Sequence, residues 1–347
     1  MHIGTVTERS KASYKLAHAR LCLPDATSTK GFNDMLIAVL IPCHNEASSI
    51  GKVVRDFRTA LPGAEIYVFD NNSVDHTSQL AKEAGAHVAQ ERLQGKGNVV
   101  RRMFADVEAD VYMLVDGDGT YEPALAPAMV DLLLNERLDM VTGTRVTELA
   151  DAYRPGHKFG NIVLTTIVTT IFGKRILDML SGYRVFSRRF VKSFPALSTG
   201  FEIETELTVH ALELRMPIGE IDTPYHNRLP GSSSKLKTYR DGFRILMTII
   251  VLVKEEKPLQ FFAVIAALLL FCGFALSIPI FVEFHYTHLV RRFPTAILSL
   301  GLVIMSFLSL VCGLVLDSVA RGRKEAKRMI YLSVPATREK LICKTTL

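Results

Sequence analysis

Two aspartates separated by a glycine, Asp116-Gly117-Asp118, directly follow the uninterrupted apolar run Val111-Tyr112-Met113-Leu114-Val115. If that run is a strand, both carboxylates leave its carboxyl end together and converge on one point. Such a pair suits a hard divalent ion that also bridges a diphosphate. Asp-Gly is equally at home in a solvated turn. The triplet alone leaves both readings open, and the rigid strand before it favours the first. Other polar clusters recur along the first half of the chain: Pro42-Cys43-His44-Asn45-Glu46, Asp70-Asn71-Asn72-Ser73-Val74-Asp75, Gln94-Gly95-Lys96-Gly97 and Gly143-Thr144-Arg145. Each has a plain structural alternative. Asn45 or Ser48 can cap a helix, Asp75 can cap another, and a lone histidine such as His44 is commonly a packed or surface residue. The Gly-Lys-Gly cluster suggests a phosphate cradle but lacks the Walker spacing.

The elements that must hold these clusters are legible from hydrophobic period. Strands are expected at Leu36–Ile41, closed by Pro42, and at Glu65–Phe69, Val111–Val115 and Met140–Thr142. A helix is expected from about Ser48, with Ile50, Val53, Val54 and Phe57 on one buried face. Short apolar runs alternating with helical stretches indicate βαβ units and a mostly parallel α/β sheet. In each case the polar cluster follows the carboxyl end of a strand, where open α/β sheets bind ligands.

The 347 residues carry 41 Lys+Arg against 35 Asp+Glu, a formal charge of +6. Mean hydropathy is nevertheless positive, at +0.22. The excess is local: residues 259–282 and 295–316 contain no charged side chain. Each exceeds the ~20 residues a helix needs to cross a bilayer, which excludes a purely soluble protein. Five scattered cysteines, Cys22, Cys43, Cys272, Cys312 and Cys343, give neither zinc spacing nor a disulfide framework. The expected organisation is a flexible arm over 1–34, a catalytic α/β domain over 35–238 and a juxtamembrane interfacial helix over 239–258. A transmembrane hairpin over 259–316 and a basic tail over 317–347 complete it. A second interfacial helix is expected over about 159–175, flanked by His157, Lys158, Lys174 and Arg175. The tail is rich in Lys and Arg while the loop between the spans holds only Arg291 and Arg292. The positive-inside rule therefore puts both termini and the α/β domain on the cytoplasmic side, the inner membrane in a bacterium. Spans without an ionisable residue exclude a transport pathway, and no nucleic-acid partner is expected.

In order, Ile41-Pro42-Cys43-His44-Asn45-Glu46, Asp70-Asn71-Asn72-Ser73-x-Asp75, Gly95-Lys96-Gly97, Asp116-x-Asp118 and Gly143-Thr144-Arg145 resemble the family-two inverting glycosyltransferases of GT-A fold. Asp178-Met179-Leu180-Ser181-Gly182-Tyr183-Arg184 and Arg228…Gly231-Ser232-Ser233-Ser234-Lys235 extend the resemblance to dolichyl-phosphate mannose synthase and bacterial polyprenyl-phosphate glycosyltransferases. The resemblance implies a sugar moved from a UDP- or GDP-linked donor to a polyprenyl phosphate, at a lipid bilayer, by a homo-oligomer. It implies a nucleotide pocket lined by Pro42, His44, Glu46, Asp70 and Asn71, with Lys96, Arg145, Arg228 and Lys235 toward the phosphates. Asp116 and Asp118 would hold Mg2+ or Mn2+, with Gly117 allowing close backbone approach. Relatives usually carry Asp-Asp where this chain has Asp70-Asn71. Asp118, Arg145 and Asp178 are the implied catalytic set, although an ion pair with Arg184 is the plain alternative for Asp178. Arg154, His157, Lys158 and Arg184 are candidates for the acceptor phosphate. Of Glu202, Glu204 and Glu206, one is expected to be a buried functional carboxylate and the rest a helix start. A diacylglycerol acceptor and a non-catalytic nucleotide-binding scaffold are the alternatives. A processive polysaccharide synthase is disfavoured because its Gln-x-x-Arg-Trp motif needs a tryptophan and the chain has none.

Overall fold

The apolar runs become strands of a single seven-stranded sheet, ordered β3-β2-β1-β4-β6-β5-β7. The computed structural model describes residues 35–146, 177–228, 247, 250–251 and 253–336. β1 (Ile37–Cys43), α1 (Ile50–Ala60), β2 (Glu65–Asp70), α2 (Thr77–Glu83), β3 (His87–Gln90), α3 (Lys96–Asp106) and β4 (Val111–Leu114) form the first half. β1 pairs parallel with both β2 and β4, and β2 with β3. The buried residues of α1 are Ile50, Val53, Val54 and Phe57, the face that the period predicts. After α4 (Ala126–Asn135) and β5 (Met140–Val146), β6 (Arg184–Ser187) inserts antiparallel between β4 and β5. α5 (Arg188–Ser193), α6 (Ile203–Glu213) and β7 (Ile218–Pro224), parallel to β5, complete the domain. The fold is a mixed, mostly parallel α/β sheet.

Two strands run further than hydrophobicity alone indicates. Pro42 lies inside β1, opposite Phe69 of β2, rather than ending the strand. Leu40 accepts from Val115 on the β4 side, and Pro42 shares that side two residues on, after β4 has ended. Its missing N–H therefore removes no ladder bond. β5 continues through Arg145, in register with Thr223 of β7, because strand pairing tolerates the polar Thr144-Arg145 that hydropathy does not.

Two long helices follow, α7 (Pro258–Thr287) and α8 (Phe293–Ser333). They pack against each other as a hairpin through small residues. The buried positions of α8 are Ser299, Ser306, Gly313 and Ala320, a seven-residue repeat. Ser299 Oγ donates to Gly273 O at 2.8 Å and Ser306 Oγ to Ala266 O at 2.9 Å. A Cβ on Gly273 would sit 3.0 Å from Val303, so small residues set the close approach. The outward faces are apolar and open; Phe271 is 72% exposed.

α8 does not stop where its apolar stretch stops. It continues to Ser333, so the first part of the basic tail, residues 317–333, is helical. Pairs such as Asp317–Arg321 at 3.2 Å support this exposed stretch, and its end docks on the α/β domain. Lys327 Nζ reaches Glu213 at 2.8 Å and Glu256 at 3.2 Å, and Tyr331 OH donates to Asp139 at 2.8 Å. The Arg189 guanidinium lies 5.1 Å from the Tyr331 ring centroid. Burial, then the neighbouring Glu213, pushes the Glu256 carboxyl up to about 7. The docked form therefore retains a proton that the undocked form releases. The Glu256 contribution to docking weakens as pH rises through about 7. Glu213, where burial is outweighed by the hydrogen bonds of Glu256 and Lys327, is held below the ordinary glutamate range and stays ionised across that window. Hydrogen exchange of residues 323–333, corrected for intrinsic rates, should show falling protection from about pH 6 to about pH 8. Glu256→Gln should flatten that dependence, and a flat wild-type profile would refute the linkage.

Candidate active site

The carboxyl ends of β1, β2 and β4 open on one cavity of about 570 Å3, within the usual range for a ligand site. Pro42, His44, Glu46, Asn71, Lys96, Asp116, Gly117, Asp118, Arg145 and Arg228 all line it. Clusters separated by up to 186 positions in sequence thus meet at one sheet edge, as the strand endings predict. Lys235, Arg154, His157 and Lys158, and the interfacial helix over 159–175, lie outside the described residues, as does most of 239–258.

The paired aspartates sit at the end of β4 with different surroundings. Asp118 is buried; its Oδ1 accepts from Thr120 Oγ1 at 2.7 Å and its Oδ2 meets Arg228 Nη2 at 2.7 Å. Asp116 Oδ1 accepts from Lys96 Nζ at 2.5 Å. Burial, then the charge of Asp116 beside it, holds the Asp118 carboxyl above the usual carboxylate range despite Arg228. Among the described residues no cluster of three or more metal-ligating side chains occurs. Gly117 is required on its inner side, since a Cβ there would lie 2.5 Å from Cys43 Sγ, whatever approaches from the cavity.

Lys96, at the first position of α3, is clasped between Asp116 and Glu204, each at 2.5 Å. Burial alone would lower its pKa, but the two carboxylates outweigh burial and hold the ammonium well above the ordinary lysine range. Burial pushes the Glu204 carboxyl up against the opposing pull of Lys96. Glu204 Oε2 has no hydrogen-bond partner among the described residues. Glu204 is the member of its acidic triplet that lines the cavity. Glu206 instead accepts the N–H groups of Leu197 and Ser198, and Glu202 that of Gly200. The Gly95-Lys96-Gly97 amides do not form an open phosphate cradle. Gly97 N–H donates to Thr199 O at 3.1 Å, and a Cβ on either glycine would overlap the 198–199 backbone.

Arg145 leans on Asp178 through two parallel bonds, Nε to Oδ2 at 2.7 Å and Nη2 to Oδ1 at 2.8 Å. Its guanidinium also lies 5.6 Å from the Tyr225 ring. Asp178 thus fixes Arg145 at the cavity wall and does not pair with Arg184 in the way its neighbourhood in sequence suggests. Arg184 itself requires a correction. It is fully buried in the middle of the sheet, donating to Ser181 O at 2.9 Å, Met179 O at 2.5 Å and Thr208 Oγ1 at 2.8 Å. Its guanidinium ties the 178–184 turn to α6 and is out of reach of a lipid phosphate, because it is fully enclosed and bonded to those three groups. Asp70 is likewise turned inward, capping Ser73 N and holding Ser78 Oγ. Tyr121, Tyr225 and Phe201 line the cavity without having been singled out by sequence. Aromatic residues read as core in hydropathy, and the bridge between Tyr121 and Tyr225 brings those two to the rim.

The α/β sheet thus carries an acidic pair and several basic groups at its carboxyl edge. The family description "Glycosyl transferase family 2" matches residues 38–194. Glycosyltransferase AglJ of Haloferax volcanii is 31% identical over 303 residues, covering 85% of this chain and 97% of the relative. The chain belongs to glycosyl transferase family 2. A dolichyl-phosphate hexose transferase of the same organism is 27% identical over 227 residues, 65% of this chain and 96% of that protein. The fold is shared with glucosyl-3-phosphoglycerate synthase from Mycobacterium tuberculosis, solved with Mn2+, UDP and phosphoglyceric acid. The TM-score is 0.53 at 21% identity, covering 62% of this chain and 78% of that one.

Proposed function

We propose that the protein moves a sugar from a nucleoside-diphosphate donor onto a polyprenyl phosphate at a membrane surface, inverting the anomeric centre. The observation that carries this reading is the cavity at the carboxyl edge, which brings Asp116, Asp118, Lys96, Arg145 and Arg228 together on a domain docked to an apolar hairpin. A relative named as a dolichyl-phosphate hexose transferase supports the lipid acceptor. The fold neighbour crystallised with UDP and Mn2+ supports the donor and the cation.

In the proposed reaction a phosphate oxygen of the acceptor attacks the anomeric carbon from the face opposite the leaving diphosphate. One carbon–oxygen bond forms, one breaks, and the nucleoside diphosphate departs. The acceptor is already an anion at neutral pH, so positioning and charge neutralisation matter more than a strong general base. Asp116 and Asp118 would hold Mg2+ or Mn2+, which supplies charge neutralisation to the departing diphosphate. Arg145, kept rigid by Asp178, and Lys96, kept by Glu204, present cations to the same phosphates. Arg154, His157 and Lys158 are the proposed acceptor-phosphate contacts and Lys235 a further donor-phosphate contact. The basic residues after the second span favour a cytoplasmic catalytic domain. A homo-oligomer is proposed on family resemblance alone.

Full-length protein in lipid vesicles, given polyprenyl phosphate, Mn2+ and a panel of nucleotide sugars, should yield a lipid heavier by one sugar. Chelator should abolish it. Glycosylated diacylglycerol would replace the acceptor assignment, and nucleotide binding without any product would leave a non-catalytic scaffold.

A further inference from the structure

Irregular chain over residues 91–95 leads from β3 into Lys96, and its last two residues, Gln94 and Gly95, form part of the donor-cavity wall. Nothing in the composition of Glu91-Arg92-Leu93-Gln94-Gly95 makes such a segment rigid. It is held by two consecutive asparagines at the end of β2. Asn71 Nδ2 donates to Glu91 O at 2.9 Å and to Leu93 O at 2.8 Å, while its Oδ1 accepts from Gly95 N at 2.7 Å. Asn72, in the left-handed region at φ 61°, donates to Arg92 O at 2.9 Å and Gln94 Oε1 at 3.1 Å. The backbone of Asn71 is occupied as well: its N–H donates to Cys43 O at 2.8 Å and its carbonyl accepts from His44 Nδ1 at 2.8 Å. Both amide hydrogens of the buried Asn71 side chain are therefore spent on the loop. None remains for the edge of a nucleobase.

The amide is chemically required. An aspartate at this position could still accept from Gly95 N, but its other oxygen would face two carbonyl oxygens at hydrogen-bond distance. Gly95 itself, at φ 128° and against Thr199 O, admits no side chain and passes the constraint to its neighbour Lys96. We infer that Asn71, seconded by Asn72, is a latch that positions the 91–95 loop and Lys96 for the donor diphosphate, and that its side chain does not select the base. This rests on the nucleotide-donor reading of the cavity and revises the role given to Asn71 by family resemblance.

The test compares full-length wild type, Asn71→Asp and Asn72→Ala for binding of UDP, GDP, CDP and ADP with Mn2+, and for amide exchange at Gly95. A latch predicts that Asn71→Asp weakens every nucleotide that binds by a similar factor, on the order of tenfold or more, with their ranking unchanged. Exchange over 91–95 should quicken, and KM for the donor should rise while KM for the lipid acceptor stays put. Asn72 does not line the cavity, so a smaller uniform loss in Asn72→Ala would come through the loop alone. A changed ranking, with one nucleotide gaining, would make Asn71 a base reader and overturn the latch. So would unchanged exchange in both variants. If wild type binds none of the four nucleotides, the donor reading fails, while the exchange measurement still decides whether the asparagines hold the loop.

Discussion

Asp118→Asn is expected to lower cation-dependent turnover by about 100-fold or more, the several kcal/mol that charge neutralisation at a leaving diphosphate is worth. The substitution is isosteric and retains an oxygen for Thr120, which donates to Oδ1 at 2.7 Å. It exchanges Oδ2, now 2.7 Å from Arg228, for an amide that can neither hold a cation nor pair with a guanidinium. Removing the carboxylate relieves repulsion from Asp116 but leaves the half-buried Arg228 without its partner oxygen, so the variant should fold and melt somewhat below the wild type. Loss of activity far beyond what that destabilisation explains is the signature sought, by single-turnover assay on the folded variant and thermal melting. Wild-type rates in the variant, or undiminished wild-type activity in chelator, would remove Asp118 from the role proposed for it.

Lys96→Met should have the larger structural effect. The Lys96 side chain is 9% exposed and that of Glu204 6%, so the ammonium cannot be replaced by water without opening the site. Breaking a buried pair typically costs about 3–5 kcal/mol because the surviving charge is stranded. For a domain of this size that corresponds to a melting temperature lower by roughly 10 °C. Glu204, whose carboxyl burial already pushes up, would respond by taking a proton. The folded variant then holds a proton that the unfolded chain releases above the ordinary glutamate range. Its stability deficit should accordingly shrink as pH falls and widen as pH rises. Adding Glu204→Gln should restore most of the stability and none of the donor binding, which separates the electrostatic role of Lys96 from its proposed contact with phosphate. A single Lys96→Met variant as stable as wild type at neutral pH would contradict the buried pairing.

Much of the site was legible because it is local. Asp116 and Asp118 follow a strand that the apolar run Val111–Val115 announces, and the order of the polar clusters carries the family. The two apolar stretches likewise announce a hairpin, because a run of uncharged residues longer than a bilayer needs no tertiary information to be read. What the sequence by itself determined was therefore the α/β class, the edge at which the polar clusters collect and the presence of an apolar hairpin. Only the tertiary structure decided where each long cationic side chain is spent. β6 runs between β4 and β5, which buries Arg184 in the sheet and leaves Arg145 at the rim on Asp178. Lys96 meets a carboxylate 108 residues away, and Lys327 one 114 residues away. Hydropathy could not show that α8 continues past Leu316 to dock, nor that the amide of Asn71, on the cavity wall, is spent on the 91–95 loop. Strand and helix period are set within a few residues by backbone geometry. The partner of a buried charge or amide is set by which strands lie side by side, and that is a property of the whole chain.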